Sequence, residues 1–335
     1  GSASTALAAA TAVSTCSGPH FGTTTTSWPS NGDDTTIDSG VVTSSPAMRT
    51  GSWAVMATPR NVADGGARAR PRRQYPRYPA AVPSSRWPFL DHPGPLPFAH
   101  RGGALDQPEN TMPAFEAAVD LGYRYLETDA HVTADGICLA FHDDRLDRVT
   151  DRTGMIAELP YREVRQARVD GREPIPLLED LIAAFPEVRI NIDTKADESV
   201  EAVAAVVRRT DAIDRVCVGS FSEDRLTRIR AELGPRLCTS LGPKETAKLR
   251  GGSFGLPGAG HLHGACAQVP HRVKGVTIVD ERFVAKAHAL GLQVHVWTID
   301  DEAEMHELLD LGVDGLMTDR PGVLKDVLTS RGLWF

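Results

Sequence analysis

Three times in this chain a helix-like segment ends in Leu-Gly and a short apolar run follows within a few residues. The pairs are Leu121-Gly122, Leu290-Gly291 and Leu311-Gly312, and the runs close on Asp129, Asp300 and Asp319. Glycine just past a helix supplies a left-handed cap, after which the chain turns directly into a strand. Helix-to-strand units of this kind, repeated, are the mark of parallel βα architecture. From about residue 95 the pattern gives eight strand candidates: Pro97 to His100, Tyr125 to Asp129, Ile137 to His142, Arg189 to Thr194, Arg215 to Gly219, Arg236 to Leu241, Gln293 to Thr298 and Gly315 to Thr318. Ala265 to Val269 and Val276 to Val279 are further apolar pieces, read as an extended connection after the sixth strand. Between the strands, Val200, Val203, Ala204 and Val207 form one helical face. Ser222 caps a helix ending before Gly234-Pro235, and Asp280 opens one that Gly291 closes. Eight strands within residues 91–335 predict an α/β fold of the (β/α)8 (TIM) barrel type. An open doubly wound sheet is the alternative, but no Gly-x-Gly-x-x-Gly turn follows the first strand.

The stretch before the barrel is different material. Residues 1–90 contain no Glu and no Lys, whereas residues 91–335 carry the whole acidic excess behind the net charge of -8. The first ninety residues are Ser/Thr-rich, with a basic run Ala67-Arg-Ala-Arg-Pro-Arg-Arg73 and no sustained periodicity, so they are expected to form a disordered extension. The acidic balance argues against a nucleic-acid partner held by phosphate attraction. No apolar stretch is long enough to span a membrane, so stable membrane insertion is not expected. The apolar run Ala6 to Val13 lacks a basic segment before it, which speaks for a cytoplasmic rather than a secreted protein. The five cysteines, Cys16, Cys138, Cys217, Cys238 and Cys266, form no CxxC pair and are read as mostly buried thiols, without the spacing of a thiolate metal site. Oligomeric state is not legible.

Active-site residues of such barrels collect at the C-terminal ends of strands. Here those ends read His100-Arg101-Gly102-Gly103, Glu127-Thr128-Asp129, His142-Asp143 and Asp193-Thr194-Lys195. Strand alternation places Glu127 and Asp129 on one face, and likewise Asp193 and Lys195. Three converging carboxylates repel unless a cation relieves them, and all-oxygen ligation points to Mg2+ or Ca2+. Salt bridging at a barrel rim is the competing reading of Glu127 and Asp129. His100 and His142 suit general acid and base work near neutrality. Arg101 and Lys195 supply the fixed positive charge a phosphoryl group requires, although Arg101 could equally pair with Glu127 or Glu109. Gly102-Gly103 either admits a ligand to the backbone or makes a tight turn. Asn110 or Thr111 is expected to cap the next helix, and Glu109 to orient His100 or Arg101.

The motifs His-Arg-Gly-Gly at 100 to 103, Pro-Glu-Asn-Thr at 108 to 111, Glu-x-Asp at 127 to 129, Phe-His-Asp at 141 to 143, Asp-x-Lys at 193 to 195, Val-Trp-Thr at 296 to 298 and Thr-Asp-Arg-Pro at 318 to 321 stand in that order. Together they resemble the glycerophosphodiester phosphodiesterases over about residues 96 to 328. The resemblance implies a (β/α)8 barrel that hydrolyses a small-molecule glycerophosphodiester to glycerol 3-phosphate and an alcohol with one divalent cation. By position it makes His100 and His142 the acid/base pair, Glu127, Asp129 and Asp193 the metal ligands, and Arg101 and Lys195 the phosphate holders. Trp297 would line the substrate pocket, with Phe221 a weaker candidate, and Asp319 would be a supporting carboxylate.

The chain departs from that pattern in two places. Asp193 stands where many members carry Glu, and the segment Asp143 to Pro176, where the family has a cap-like insertion, is short. A small cap predicts an open pocket and loose selection of the alcohol. A lysophospholipase D-like enzyme with a longer acyl groove, a Schiff-base lyase using Lys195, and a noncatalytic phosphate-binding barrel are the rival functions.

Overall fold

The structure, a computed structural model, describes residues 86–335. The disordered reading of residues 1–90 therefore falls almost entirely outside the described residues. Of that stretch, Pro88–Leu90 form a 3-10 turn whose Phe89 and Leu90 are buried.

Eight parallel strands make the barrel: β1 Leu96–His100, β2 Tyr125–Val132, β3 Arg189–Thr194, β4 Val216–Gly219, β5 Cys238–Thr239, β6 Cys266–Pro270, β7 Gln293–Trp297 and β8 Gly315–Thr318. Each pairs with its neighbour in sequence, and β8 pairs with β1. Closure between β5 and β6 rests on a single parallel bridge, Ser240 to Cys266, with Leu241 N donating to Cys266 O at 2.8 Å. The (β/α)8 expectation holds, with one exchange of strands. Ile137 to His142 is not a barrel strand: only Cys138–Ala140 is extended, and it runs antiparallel to the overhang of β2. The eighth place belongs to β6, expected in a connecting segment. The pieces beyond it, Arg272–Val273 and Val276–Thr277, do form an accessory hairpin.

Alternation divides each strand between two environments. Val216 and Val218 of β4, like Ile190 and Ile192 of β3, pack outward against helices such as Ser199–Arg209. The intervening positions face the barrel interior. At its N-terminal end that interior is filled by Phe89, Leu96, Phe98 and Tyr125 with Cys217, Cys238 and Cys266. Phe89 meets Tyr125 edge-on with centroids 5.5 Å apart, and Tyr125 Oη donates to Phe89 O at 2.9 Å. The entering chain thereby plugs the barrel floor.

Helix ends behave as read. Ser222 and Asp280 accept from the backbone N–H groups of Arg225 and Phe283, and Gly122, Gly291 and Gly312 all have positive φ. Asn110 and Thr111 differ from expectation. Thr111 occupies the cap position without a side-chain cap bond, and Asn110, at φ 55°, turns its amide into the active-site end instead. Between β2 and β3 the short insertion, with a 3-10 turn at Ile156–Glu158, a helix at Tyr161–Val164 and a two-stranded hairpin, carries its own small core around Phe141, Leu146 and Val164.

Candidate active site

His100 ends β1, Glu127 and Asp129 stand two apart on β2, and Asp193 and Lys195 stand two apart at the end of β3. In the parallel register His100 is the partner of Glu127, and Asp129 of Asp193. All five line one cavity of about 230 Å³ at the C-terminal mouth, together with Arg101, His142, Phe221 and Trp297. Every residue expected in the catalytic, metal or phosphate-binding set is in this one place. His142 reaches it from the loop after Cys138–Ala140 rather than from a strand end. His131 Nε2 sits 3.0 Å from His142 O and helps hold that loop.

Both histidines have one ring nitrogen fixed. His100 Nδ1 lies 2.6 Å from Asp319 Oδ1, and His142 Nδ1 lies 2.6 Å from Asp143 Oδ1. A carboxylate on Nδ1 orients the imidazole and leaves Nε2 for chemistry. His100 Nε2 lies 3.7 Å from Glu127 Oε2. Burial by itself would depress His100, but Glu127 and the bond to Asp319 outweigh it and its pKa rises. His142 goes the other way, because burial, reinforced by the nearby Lys195 and Arg101 charges, outweighs Asp129 and Asp143. The two rings are thus pushed apart in proton affinity.

Glu127 and Asp129 are buried and Asp193 half-buried, and the two aspartates are tightly paired. Lys195 Nζ lies 2.9 Å from Asp129 Oδ1 and 2.6 Å from Asp193 Oδ2, and Arg101 Nε lies 3.2 Å from Asp129 Oδ2. Asn110 Nδ2 donates to Asp129 Oδ2 at 3.0 Å while its Oδ1 accepts from Thr128 Oγ1 at 2.7 Å. Although burial opposes it, the charges of Lys195 and Arg101 pull Asp129 far below the usual carboxylate range. Burial, with Asp129 as neighbour, pushes Glu127 up to about 7. Asp193 Oδ1 is buried without a hydrogen-bond partner. A carboxyl held near neutrality and an orphaned carboxylate oxygen beside it are what a site short of positive charge looks like, and all-oxygen donors suit a hard divalent cation. The donor set fits that group.

Glu109 orients Arg101 and not His100: Arg101 Nη1 donates to Glu109 Oε1 at 2.9 Å. Gly102 and Gly103 serve packing. A Cβ at Gly102 would meet Ala114 Cβ at 2.7 Å, and one at Gly103 would meet Pro321 Cγ at 2.8 Å. Sequence reasoning missed Asp143 as the His142 partner, and Arg148 with it. Arg148 donates to Asp143 Oδ2 at 2.6 Å and to Glu109 Oε1 at 2.6 Å, tying the His142 loop to the Arg101 loop. The charged stretch Arg145 to Arg152 was the visible signal. Below the carboxylates, Gln268 Nε2 donates to Asn191 Oδ1 at 2.8 Å across the interior, a polar layer that no motif announced.

Opposite the charged wall stands an apolar one. Leu241, Pro243, Val269, Pro270 and Ile278 line it, and Phe221 meets Trp297 edge-on with centroids 5.7 Å apart.

Residues 100–323 match the model of the glycerophosphoryl diester phosphodiesterase family. A Mycobacterium tuberculosis protein named "Probable glycerophosphodiester phosphodiesterase 2" is 40% identical over 254 residues, covering 73% of this chain and 95% of the relative. A mouse protein named lysophospholipase D GDPD1 is 31% identical over 270 residues, covering 69% of this chain and 85% of its own. Among solved structures, an Oleispira antarctica phosphodiesterase in complex with the product sn-glycerol-3-phosphate superposes with a TM-score of 0.60 at 25% identity, covering 70% of this chain and 97% of that one. With motifs, barrel and site geometry in agreement, the chain belongs to the glycerophosphoryl diester phosphodiesterase family.

Proposed function

We propose that the chain hydrolyses small-molecule glycerophosphodiesters to glycerol 3-phosphate and an alcohol, with a divalent cation, Mg2+ or Ca2+, and the His100/His142 pair. The observation that carries this reading is the pair of carboxylate-held imidazoles flanking one buried carboxylate cluster. Glu127, Asp129 and Asp193 would hold the cation, which when bound supplies Lewis-acid polarisation of a phosphate oxygen. Arg101 and Lys195 neutralise the remaining phosphate charge. One imidazole takes the proton of the attacking oxygen as the new P–O bond forms. The other gives its proton to the alcohol oxygen as the old P–O bond breaks. The attacker is water or the adjacent glycerol hydroxyl, and product analysis in 18O-water separates direct hydrolysis from transient cyclic phosphate.

The test is a panel of glycerophosphodiesters assayed for glycerol 3-phosphate release with each cation and with a chelated control. Release that is equal with and without chelator removes the cation; no release from any substrate leaves a noncatalytic barrel. The Schiff-base rival would place a free amine at Lys195, whose Nζ is instead engaged by two carboxylates. A second substrate reading, lysophospholipids, is favoured by the apolar wall from Leu241 to Trp297. Faster turnover of long-chain lysophosphatidylcholine than of glycerophosphocholine supports it. A cytoplasmic setting belongs to the same proposal, supported by the free buried thiols Cys138, Cys217, Cys238 and Cys266; no helix among the described residues is long and apolar enough to cross a membrane.

A further inference from the structure

Cys217 on β4, Cys238 on β5 and Cys266 on β6 come from three consecutive strands at interior positions. Cys217 and Cys238 are directly paired in the parallel register, and the bridge from Ser240 to Cys266 brings the third strand alongside. The three Sγ atoms all lie within 4.8 Å of one another, with Cys217 and Cys266 at 4.0 Å. Each residue is at most 1% exposed. Among the described residues this is the one group of three or more His, Cys, Asp or Glu side chains whose ligand atoms all lie that close together, closer than the carboxylates of Glu127, Asp129 and Asp193 at the mouth. Core packing alone asks for apolar volume at these positions, and a single thiol meets that need. Three sulfurs converging on one point constitute, in addition, a preformed set of soft donors.

Coordination chemistry narrows the occupant. Thiolate sulfur selects soft cations such as Cu+ and Zn2+ over Mg2+ and Ca2+. Zinc is almost always held by four ligands in structural sites, whereas this group offers three: the buried imidazole of His295 beside Cys266 stands outside the set whose ligand atoms lie within 4.8 Å of one another, with its ring nitrogens against Gln293 and Gln268. Trigonal sulfur coordination suits Cu+. We propose that Cys217, Cys238 and Cys266 form a three-sulfur site, inside the barrel and beneath the phosphodiesterase mouth, for one soft monovalent cation of the Cu+ kind. Binding forms Cu–S bonds and releases thiol protons to solvent; copper stays Cu+, so no electron is transferred. The hard-donor mouth and the soft-donor core are therefore chemically distinct, and this inference does not depend on the catalytic proposal.

The full chain would be expressed in copper-supplemented cells and purified anaerobically in the presence of a Cu+ chelator and EDTA. Copper per chain would then be counted by metal mass spectrometry, and the copper X-ray absorption edge read for its ligand shell. One copper per chain with a sulfur-only shell is expected, unchanged in Cys16→Ser and Cys138→Ala. In Cys238→Ala and Cys266→Ala copper should fall roughly ten-fold or more. Copper in the unmodified chain no higher than in Cys238→Ala, a shell containing nitrogen or oxygen, or a Cys217–Cys266 disulfide in the anaerobically purified protein would overturn the site. Should the cluster variants fail to fold, the ligand shell of the unmodified chain and the Cys16 and Cys138 variants still decide.

Discussion

The two ends of this barrel are built on opposite principles. The C-terminal mouth concentrates Glu127, Asp129, Asp193, Arg101 and Lys195 in one cavity, with a partnerless buried oxygen on Asp193 and positive φ at Arg101 and Asn110. At the other end the interior is closed by Phe89, Phe98 and Tyr125, and Gln293 Nε2 donates there to Leu90 O at 3.1 Å. Uncompensated buried charge persists only where the surrounding structure enforces it, and it clusters where chemistry is done. The floor supplies that enforcement. Activity and stability should therefore separate along the barrel axis.

The largest expected effect is at the mouth. His100→Ala and His142→Ala should each lower kcat/KM about 10²- to 10⁴-fold, the range for a lost general acid or base, while leaving the melting temperature nearly unchanged. Steady-state kinetics paired with thermal denaturation checks this. Wild-type rates in both variants would break the assignment of the site; a large fall in melting temperature would break the division between the ends.

The mirror-image substitution is Phe89→Ala. Phe89 is fully buried against Phe98 and Tyr125, and truncation of such a ring costs about 3–5 kcal/mol through lost burial and the cavity left behind. Urea denaturation should show that loss, with kcat of the folded fraction unchanged. A kcat that falls with stability would mean that the floor tunes the mouth directly.

How legible each end was follows the same line. The mouth residues announce themselves because charged side chains at successive strand ends have no reason to be there in a plain core, so His100, Glu127, Asp129, Asp193 and Lys195 could be read from alternation. Asp143 and Arg148 could not, because their meeting depends on the path of a loop. Strand identity was less secure than strand count. Ile137 to His142 has the composition of a barrel strand, yet β2 runs on past the mouth to Val132 and takes Cys138–Ala140 as an antiparallel partner. The strand Cys266–Pro270 follows the glycine-rich stretch from 251 to 264 and turns the polar Gln268 inward, both of which disguise it. Pairing partners are set by tertiary contacts that local pattern does not encode. The cysteine cluster was hidden for the same reason, since register, not spacing, brings the three sulfurs together.

Within the mouth, a smaller effect should distinguish the charged wall from the apolar one. Trp297→Ala removes the ring packed against Phe221 and should weaken a substrate with a long or apolar alcohol portion roughly ten-fold, about 1.4 kcal/mol. Glycerophosphodiesters with small polar alcohols should change little. KM values for the two substrate classes make the comparison, and an equal loss for both would show that Trp297 serves the phosphate side or the core.

The smallest effect belongs to the floor and depends on pH. His288 Nε2 lies 2.8 Å from Asp314 Oδ2, an oxygen that also accepts from Val294 N at 2.8 Å just ahead of β8. The hydrogen bond to Asp314 raises the His288 pKa despite partial burial. A histidine whose folded pKa lies above its unfolded value stabilises the fold fully below the unfolded value, about 6.5. That contribution disappears as pH rises through the folded value. His288→Gln should therefore lower the urea midpoint at acidic pH and converge on the parent chain at alkaline pH, with catalytic rates unaffected throughout. A deficit that is constant with pH would assign His288 to packing alone, and one that grows with pH would reverse the sign of its coupling to Asp314.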